Sequence, residues 1–292
     1  MTTSSRRPQG QYKSYDPAVL RQTQLALTRI LAEVDRVCRL LDIPYVVYGG
    51  TAIGAVRHGG FVPWDDDADV CMSRAAYERF LREAPAVIGP EFTVDSMRTH
   101  ADFPATYAYL GQKGTAFVPE FYRTLSYRRP LAVDIFPLDN MPGDERAYRR
   151  QSRRTWLWGR LLILRATPTP HVELSGPKRA LVLTATRIAH WGLRTLRVSP
   201  RFLQARWERA ARQYEHESTA QMADYSDRDP RAWAASTDDL YPASDAPFED
   251  ITVKLPRNVD AVLRRGYGDY MTLPPADKRK NHYPYLLELP EG

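Results

Sequence analysis

A chain of 292 residues, 43% hydrophobic and 11% aromatic, is long enough for one large domain or two small ones around a substantial core. Only two cysteines, Cys38 and Cys71, exclude a disulfide framework. There is neither a cleavable apolar leader nor an apolar run of about 18 residues, so a cytoplasmic protein is expected. The formal charge of +6 is unevenly spread: residues 144 to 212 hold sixteen Arg or Lys against four Asp or Glu, an excess of +12 that leaves −6 for the rest. Such a split predicts one segment that meets a polyanion or an anionic membrane face, with peripheral attachment at the inner membrane, and another that holds acidic chemistry.

Residues 1–15, polar and partly basic, are expected to be disordered. Asp16-Pro17 then places a capping side chain before a proline suited to the first helical turn. The apolar spacing of Leu27, Ile30, Leu31, Val34, Val37, Cys38 and Leu41 predicts an amphipathic helix. Pro44 ends it, and Tyr45 to Tyr48 reads as a strand. Gly49-Gly50 turns the chain, with Thr51 expected to cap a short helix through Arg57. Beyond Gly59-Gly60, Asp65 to Met72 alternates as a strand, and Ser73 caps a helix carrying Tyr77, Phe80 and Leu81. Further strands are expected at 92–94, 106–110, 115–118 and 131–136, which makes the first part mixed α and β.

Past Pro142 the pattern changes to helices rich in Arg, Leu and Trp, near 145–164, 178–196 and 201–214, with a Thr-Pro-Thr-Pro break at 167–170. Residues 224–256 are rich in Asp, Ser and Pro, and a last helix is expected at 259–265. The predicted organisation is an α/β core at 16–142, a basic helical insertion at 143–223 and a segment at 224–292 that completes the core.

The chemistry is concentrated in Asp65-Asp66-Asp67-Ala68-Asp69. On a strand, residues 65, 67 and 69 share a face. Three carboxylates there repel one another unless a cation neutralises them, and an oxygen-only ligand set suits Mg²⁺ or Mn²⁺. Asp134 lies within the apolar run Leu131 to Phe136 and needs a partner: either it joins that cluster, or it pairs with an arginine. Upstream, strand, Gly49-Gly50 and helix start bring bare N–H groups near a phosphate, with no Walker lysine. Arg57 is a further phosphate contact unless its stem only covers the helix. Asp66 points to the other face. Trp64, Asp269 and His282 have structural readings as good as functional ones.

The stretch from Tyr48-Gly49-Gly50-Thr51 through Arg57-His58-Gly59-Gly60-Phe61-Val62-Pro63-Trp64 to Asp65-Asp66-Asp67-Ala68-Asp69 resembles the hallmark of the LicD family, as do Val133-Asp134-Ile135-Phe136-Pro137-Leu138-Asp139 and Tyr267-Gly268-Asp269-Tyr270-Met271. That family includes bacterial phosphocholine transferases and shares its core with fukutin-type ribitol-phosphate transferases. The resemblance implies a nucleotidyltransferase-like mixed sheet flanked by helices and a Mg²⁺ site at Asp67, Asp69 and Asp134. It also implies a cytidine-diphosphate-activated alcohol as donor and a glycan or lipid-linked glycan as acceptor, with release of CMP. Ala68 and Cys71 depart from the residues common in the family, and no candidate ligand is lost. A conventional nucleotidyltransferase that releases pyrophosphate, and a membrane-docked scaffold without turnover, remain the alternatives. No nucleic-acid module accompanies the basic segment.

Overall fold

The computed structural model describes residues 15–100, 102–123, 125–170 and 174–290. The leading stretch expected to be disordered lies outside them, except for Tyr15. That residue is buried, and its hydroxyl donates to the Asp66 carboxylate at 2.7 Å, so it belongs to the fold rather than to a tail.

Helix α1 (Pro17–Leu40) starts where predicted, with the Asp16 side chain accepting from the Ala18 N–H. It buries Leu27, Ile30, Leu31, Val34, Val37 and Cys38. Strand β1 (Val46–Val47) leads into α2 (Gly49–His58), and β2 (Asp69–Ser73) into α3 (Arg74–Glu83), which Ser73 caps through the Ala76 N–H. Strands β3 (Phe92–Asp95), β4 (Ala108–Gln112), β5 (Ala116–Val118) and the long β6 (Ala132–Met141) follow. Then come helices α4 (Glu145–Ala166), α5 (Gly176–Thr195) and α6 (Pro200–Ala211). The chain returns through β7 (Gln221–Ala223), the short α7 (Thr237–Leu240), a hairpin of β8 (Ser244–Phe248) and β9 (Ile251–Leu255), α8 (Val259–Tyr267) and β10 (Leu286–Glu288).

The central sheet is mixed, in the order β1-β2-β6-β4-β3, with β7 pairing the far end of β6. Strands β2 and β6 are parallel and the other pairs antiparallel. This is the mixed α/β architecture expected, and strand period 2 divides its labour. Val47, Val70, Met72, Leu110, Val133 and Ile135 join the α1 residues in the main core. The alternate residues Asp69, Tyr109, Asp134 and Phe136 line a cavity instead. Helices α4 and α6 pack together in a layer beside the sheet, where the buried Gln151 amide donates to the Ala211 carbonyl and accepts from the Tyr225 hydroxyl.

Two predicted elements change. Strand pairing begins only at Asp69, because the two-residue β1 reaches no farther than the Val47–Val70 pair; Asp65 to Ala68 precede it as irregular chain. Asp65 and Asp67 therefore do not share a strand face with Asp69. The glycine pair is not a turn before α2 but its first two residues, entered from Tyr48 with Gly49 at φ +56°. The hairpin β8–β9 lies in the Asp-, Ser- and Pro-rich stretch 224–256, for which no element was predicted.

Candidate active site

Asp69 and Asp134 are register partners on β2 and β6, and Tyr109 on β4 is the partner of Asp134 on its other side. The two carboxylates are thus adjacent on the sheet face away from α1. Two backbone bonds fix this register: the Asp134 N–H donates to the Ala68 carbonyl and the Tyr48 N–H to the Asp69 carbonyl, both at 2.9 Å. Ala68 is fully buried, and its small side chain suits that junction.

Asp65 and Asp67 reach the same place from the irregular segment. Both line a cavity of about 840 Å³ together with Asp69 and Asp134. A Cβ on Gly50 would sit 2.5 Å from Asp65 Oδ2, and one on Gly49 would sit 3.3 Å from Asp69 Oδ2. The glycines are needed here because carboxylates rest against the start of α2, which has no side-chain cap of its own.

Burial first, then the Asp67 charge and a hydrogen bond to it, pushes the Asp65 carboxyl well above the usual carboxylate range. Burial, with Asp67 and Asp134 beside it, does the same to Asp69. Asp134 is raised by burial, which the Arg129 guanidinium opposes. Ionising these groups together is therefore unfavourable unless a cation joins them.

The predicted residues fare differently. Gly50 and Arg57 line the cavity. Thr51 is a correction: it is buried, and its hydroxyl accepts the Asp69 N–H at 2.8 Å, so it braces the strand start and faces no ligand. Arg57 donates to the Tyr270 carbonyl and so ties α2 to the segment after α8 that walls the cavity. Asp66 points away as expected, accepting from Tyr15 and from the His282 N–H at 2.8 Å. Trp64 both packs on the core and lines the cavity, with the Arg279 guanidinium 4.5 Å from its ring centre. Both readings of Asp134 hold together, since it faces the cluster and also accepts from Arg129 at 2.5 Å.

Other basic residues of the cavity were either not singled out in the sequence or, like His282, carried no assigned role. Arg129 is buried between the rings of Tyr109 and Phe117, and its Nε has no hydrogen-bond partner among the described residues. Its position five residues before a mid-strand aspartate is the only hint. His282 places Nδ1 3.1 Å from Asp67 Oδ2, and that charge, against burial, pushes its pKa up to about 10. Lys278 and Lys280 line the cavity as well, so the basic run 278–282 faces the acidic floor.

For a divalent ion the donor set is suitable: hard carboxylate oxygens whose own repulsion favours a cation. Among the described residues, the group whose ligand atoms all lie within 4.8 Å of one another is Asp66, Asp67 and His282, not Asp67, Asp69 and Asp134. Asp66 is already bound to Tyr15 and His282, so that group is a support for Asp67 rather than the better ion site.

A second cavity of about 240 Å³ shares Tyr107, Phe121 and Tyr122 with the first and is closed on its other side by Trp156, Gly159 and Arg160 of α4.

A mixed sheet sets in-register aspartates into a large cavity behind a glycine-opened helix, the arrangement of a nucleotidyltransferase-like fold. Residues 42–157 match the LicD/FKTN/FKRP nucleotidyltransferase domain. Over 127 residues the chain is 36% identical to the lipopolysaccharide cholinephosphotransferase LicD of Haemophilus influenzae. That match covers 43% of this chain and 46% of the relative, so the chain spans less than half of the relative's length. The matched region contains all four candidate carboxylates; Lys278, Lys280 and His282 lie outside it.

Proposed function

We propose that the protein transfers a phospho-alcohol group, of the phosphocholine or polyol-phosphate kind, from a CDP-activated donor to a hydroxyl of a glycan or lipid-linked glycan, with release of CMP. The observation that carries this reading is one cavity with four carboxylates on its floor and Arg57, Arg129, Lys278, Lys280 and His282 around them. Fixed cations of that kind hold the oxygens of a diphosphate. The cholinephosphotransferase relative supports transfer of a phosphorylated alcohol.

Asp67, Asp69 and Asp134, with Asp65 beside them, would hold Mg²⁺ or Mn²⁺, which would neutralise diphosphate charge. The chain's own residues orient the reaction. Arg129, with its unpartnered Nε in the cavity wall, is placed to donate to a phosphate oxygen. The start of α2 offers N–H groups at Gly50. The acceptor oxygen forms a bond to the phosphorus that bears the alcohol, the bond from that phosphorus to the CMP oxygen breaks, and the acceptor's proton passes to a carboxylate oxygen of the cluster. The second cavity, aromatic on three sides and sharing a wall with the first, is the natural approach for the acceptor.

The test is to incubate the protein with Mg²⁺ and a panel of CDP-alcohols and nucleoside triphosphates and to identify the nucleotide released. CMP, with the alcohol phosphate found on the acceptor, supports this reading. Pyrophosphate release instead would make the protein a conventional nucleotidyltransferase, and no turnover with any member of the panel would favour a scaffold.

A further inference from the structure

The helical layer carries an apolar surface that the folded chain does not use. Helix α5 buries only His190, whose Nδ1 meets the Leu164 carbonyl of α4 at 2.8 Å, so the His190 side is the one packed inward. At 3.6 residues per turn the opposite face presents Leu181, Ala185, Ile188, Gly192 and Thr195, with Trp191 at its edge. Leu181 is 73% exposed, Ile188 69% and Trp191 61%, although the same helix also has a packed side available. Leu196, just beyond α5, is 77% exposed, and Trp156 and Phe202 on the neighbouring helices are exposed as well. Lys178 borders one edge of the stripe, the exposed Arg187 and Arg194 lie beyond Trp191 toward the His190 side, and α5 contains no acidic residue.

We propose that the outer face of α5 docks the protein on an anionic lipid surface, lying in the interface with its leucine and isoleucine side chains among the acyl chains. Charge complementarity selects this occupant. The stripe belongs to the segment with an excess of +12, and an apolar face on a helix whose charged residues are all basic matches the boundary between acyl chains and acidic headgroups. A protein partner would instead need fixed acidic groups placed opposite these flexible basic side chains. No helix among the described residues is long and apolar enough to cross a membrane, so the attachment lies on the surface. The structure also locates the contact within the basic segment. In α4, by comparison, Arg149 pairs with Glu145 and Arg154 donates to Gln213, and Leu162 turns inward.

The experiment is co-sedimentation of the full chain with phosphatidylglycerol-containing vesicles and with pure phosphatidylcholine vesicles, at low and high salt. The variants are Leu181→Gln with Ile188→Gln, and Lys178→Gln with Arg187→Gln and Arg194→Gln. The wild type is expected to bind the anionic vesicles and to release them as salt rises. Both variants should bind at least about tenfold more weakly, because each removes one of two cooperating contributions. Thermal melting and CDP-alcohol binding in the absence of lipid should remain as in the wild type, which separates lost docking from lost folding. The proposal is overturned if the wild type shows no preference for anionic vesicles, or if the Leu181→Gln, Ile188→Gln variant binds them as the wild type does. It is equally overturned if light scattering shows that this variant converts a dimer to a monomer, since a second copy would then cover the face.

Discussion

Strand β6 carries two buried aspartates five residues apart, and their surroundings could hardly differ more. Asp139 is gripped by the Arg74 guanidinium through two hydrogen bonds of 2.6 and 2.8 Å, and both groups are buried. Asp134 shares one arginine with an environment that also contains Asp67 and Asp69. Both residues lie in the stretch that resembles the family's hallmark, so the motif alone does not separate them. The partner does: a carboxylate matched one to one by a guanidinium is complete within the protein, whereas crowded carboxylates are complete only with something added. On this reading Asp139 holds α3 to the sheet, and Asp134 works on a ligand.

The sharpest way to break that contrast is Arg74→Ala. It leaves Asp139 buried and unpaired, and it should cost about 3–5 kcal/mol of stability while turnover per folded molecule stays close to normal. Chemical denaturation alongside activity normalised to folded protein measures both, and a stable but inactive variant would move Asp139 into the site. Next in size, Asp67→Asn, Asp69→Asn and Asp134→Asn should each lower turnover by about a hundredfold or more, equivalent to about 2.7 kcal/mol of barrier. Relief of repulsion should meanwhile leave the melting temperatures of the Asp67 and Asp69 variants at or above wild type. Near-normal turnover with saturating Mg²⁺ would remove the mutated residue from the reaction.

The same contrast explains what could be read in advance. Helices α1 and α3 were legible to the cap, because Asp16, Pro17 and Ser73 act locally. The parallel pairing that sets Asp69 beside Asp134 joins positions 65 residues apart, and only the isolated charge in an apolar run hinted at it. The strand alternation in Asp65 to Asp69 misled because alternation reports a face only where a neighbouring strand exists, and β1 is too short to supply one. Arg129 escaped notice, and His282 was named without a role, for a related reason: a cation is ordinary in sequence and becomes informative when the fold aims it at a carboxylate.

Gly50→Val tests whether the start of α2 serves the carboxylates and the donor at once. The new side chain must displace Asp65, whose Oδ2 would lie 2.5 Å from its Cβ, and it would also cover the N–H groups facing the cavity. Donor affinity measured by calorimetry should fall by at least about tenfold, or 1.4 kcal/mol. Gly114→Ala is the control for glycine loss elsewhere: it lies at φ +77° with open space around its Cβ position, so it should strain the backbone locally and leave donor affinity alone. Equal losses in the two variants would mean that general destabilisation, not site geometry, sets the effect.

Asp224 offers the most specific test, because among the described residues no arginine pairs with its buried carboxyl. It follows β7, and it accepts from the Ser226 N–H at 2.8 Å and the Ser226 hydroxyl at 2.6 Å. Burial, which those two bonds oppose, pushes its pKa up to about 7. In the unfolded chain the group titrates near an ordinary aspartate value of about 3.9. Between these two values the folded protein binds a proton that the unfolded chain has lost, so stability falls as pH rises through that window and levels off above it. An asparagine side chain in this place would keep an oxygen for both Ser226 bonds but could not ionise, so Asp224→Asn should match wild type near pH 4 and exceed it by a few kcal/mol at pH 8. Melting curves of the two proteins, taken pairwise across that range, isolate the difference from every other titration. A gap that does not change with pH, or a variant less stable than wild type at pH 8, would show that Asp224 is ionised and partnered in the folded state.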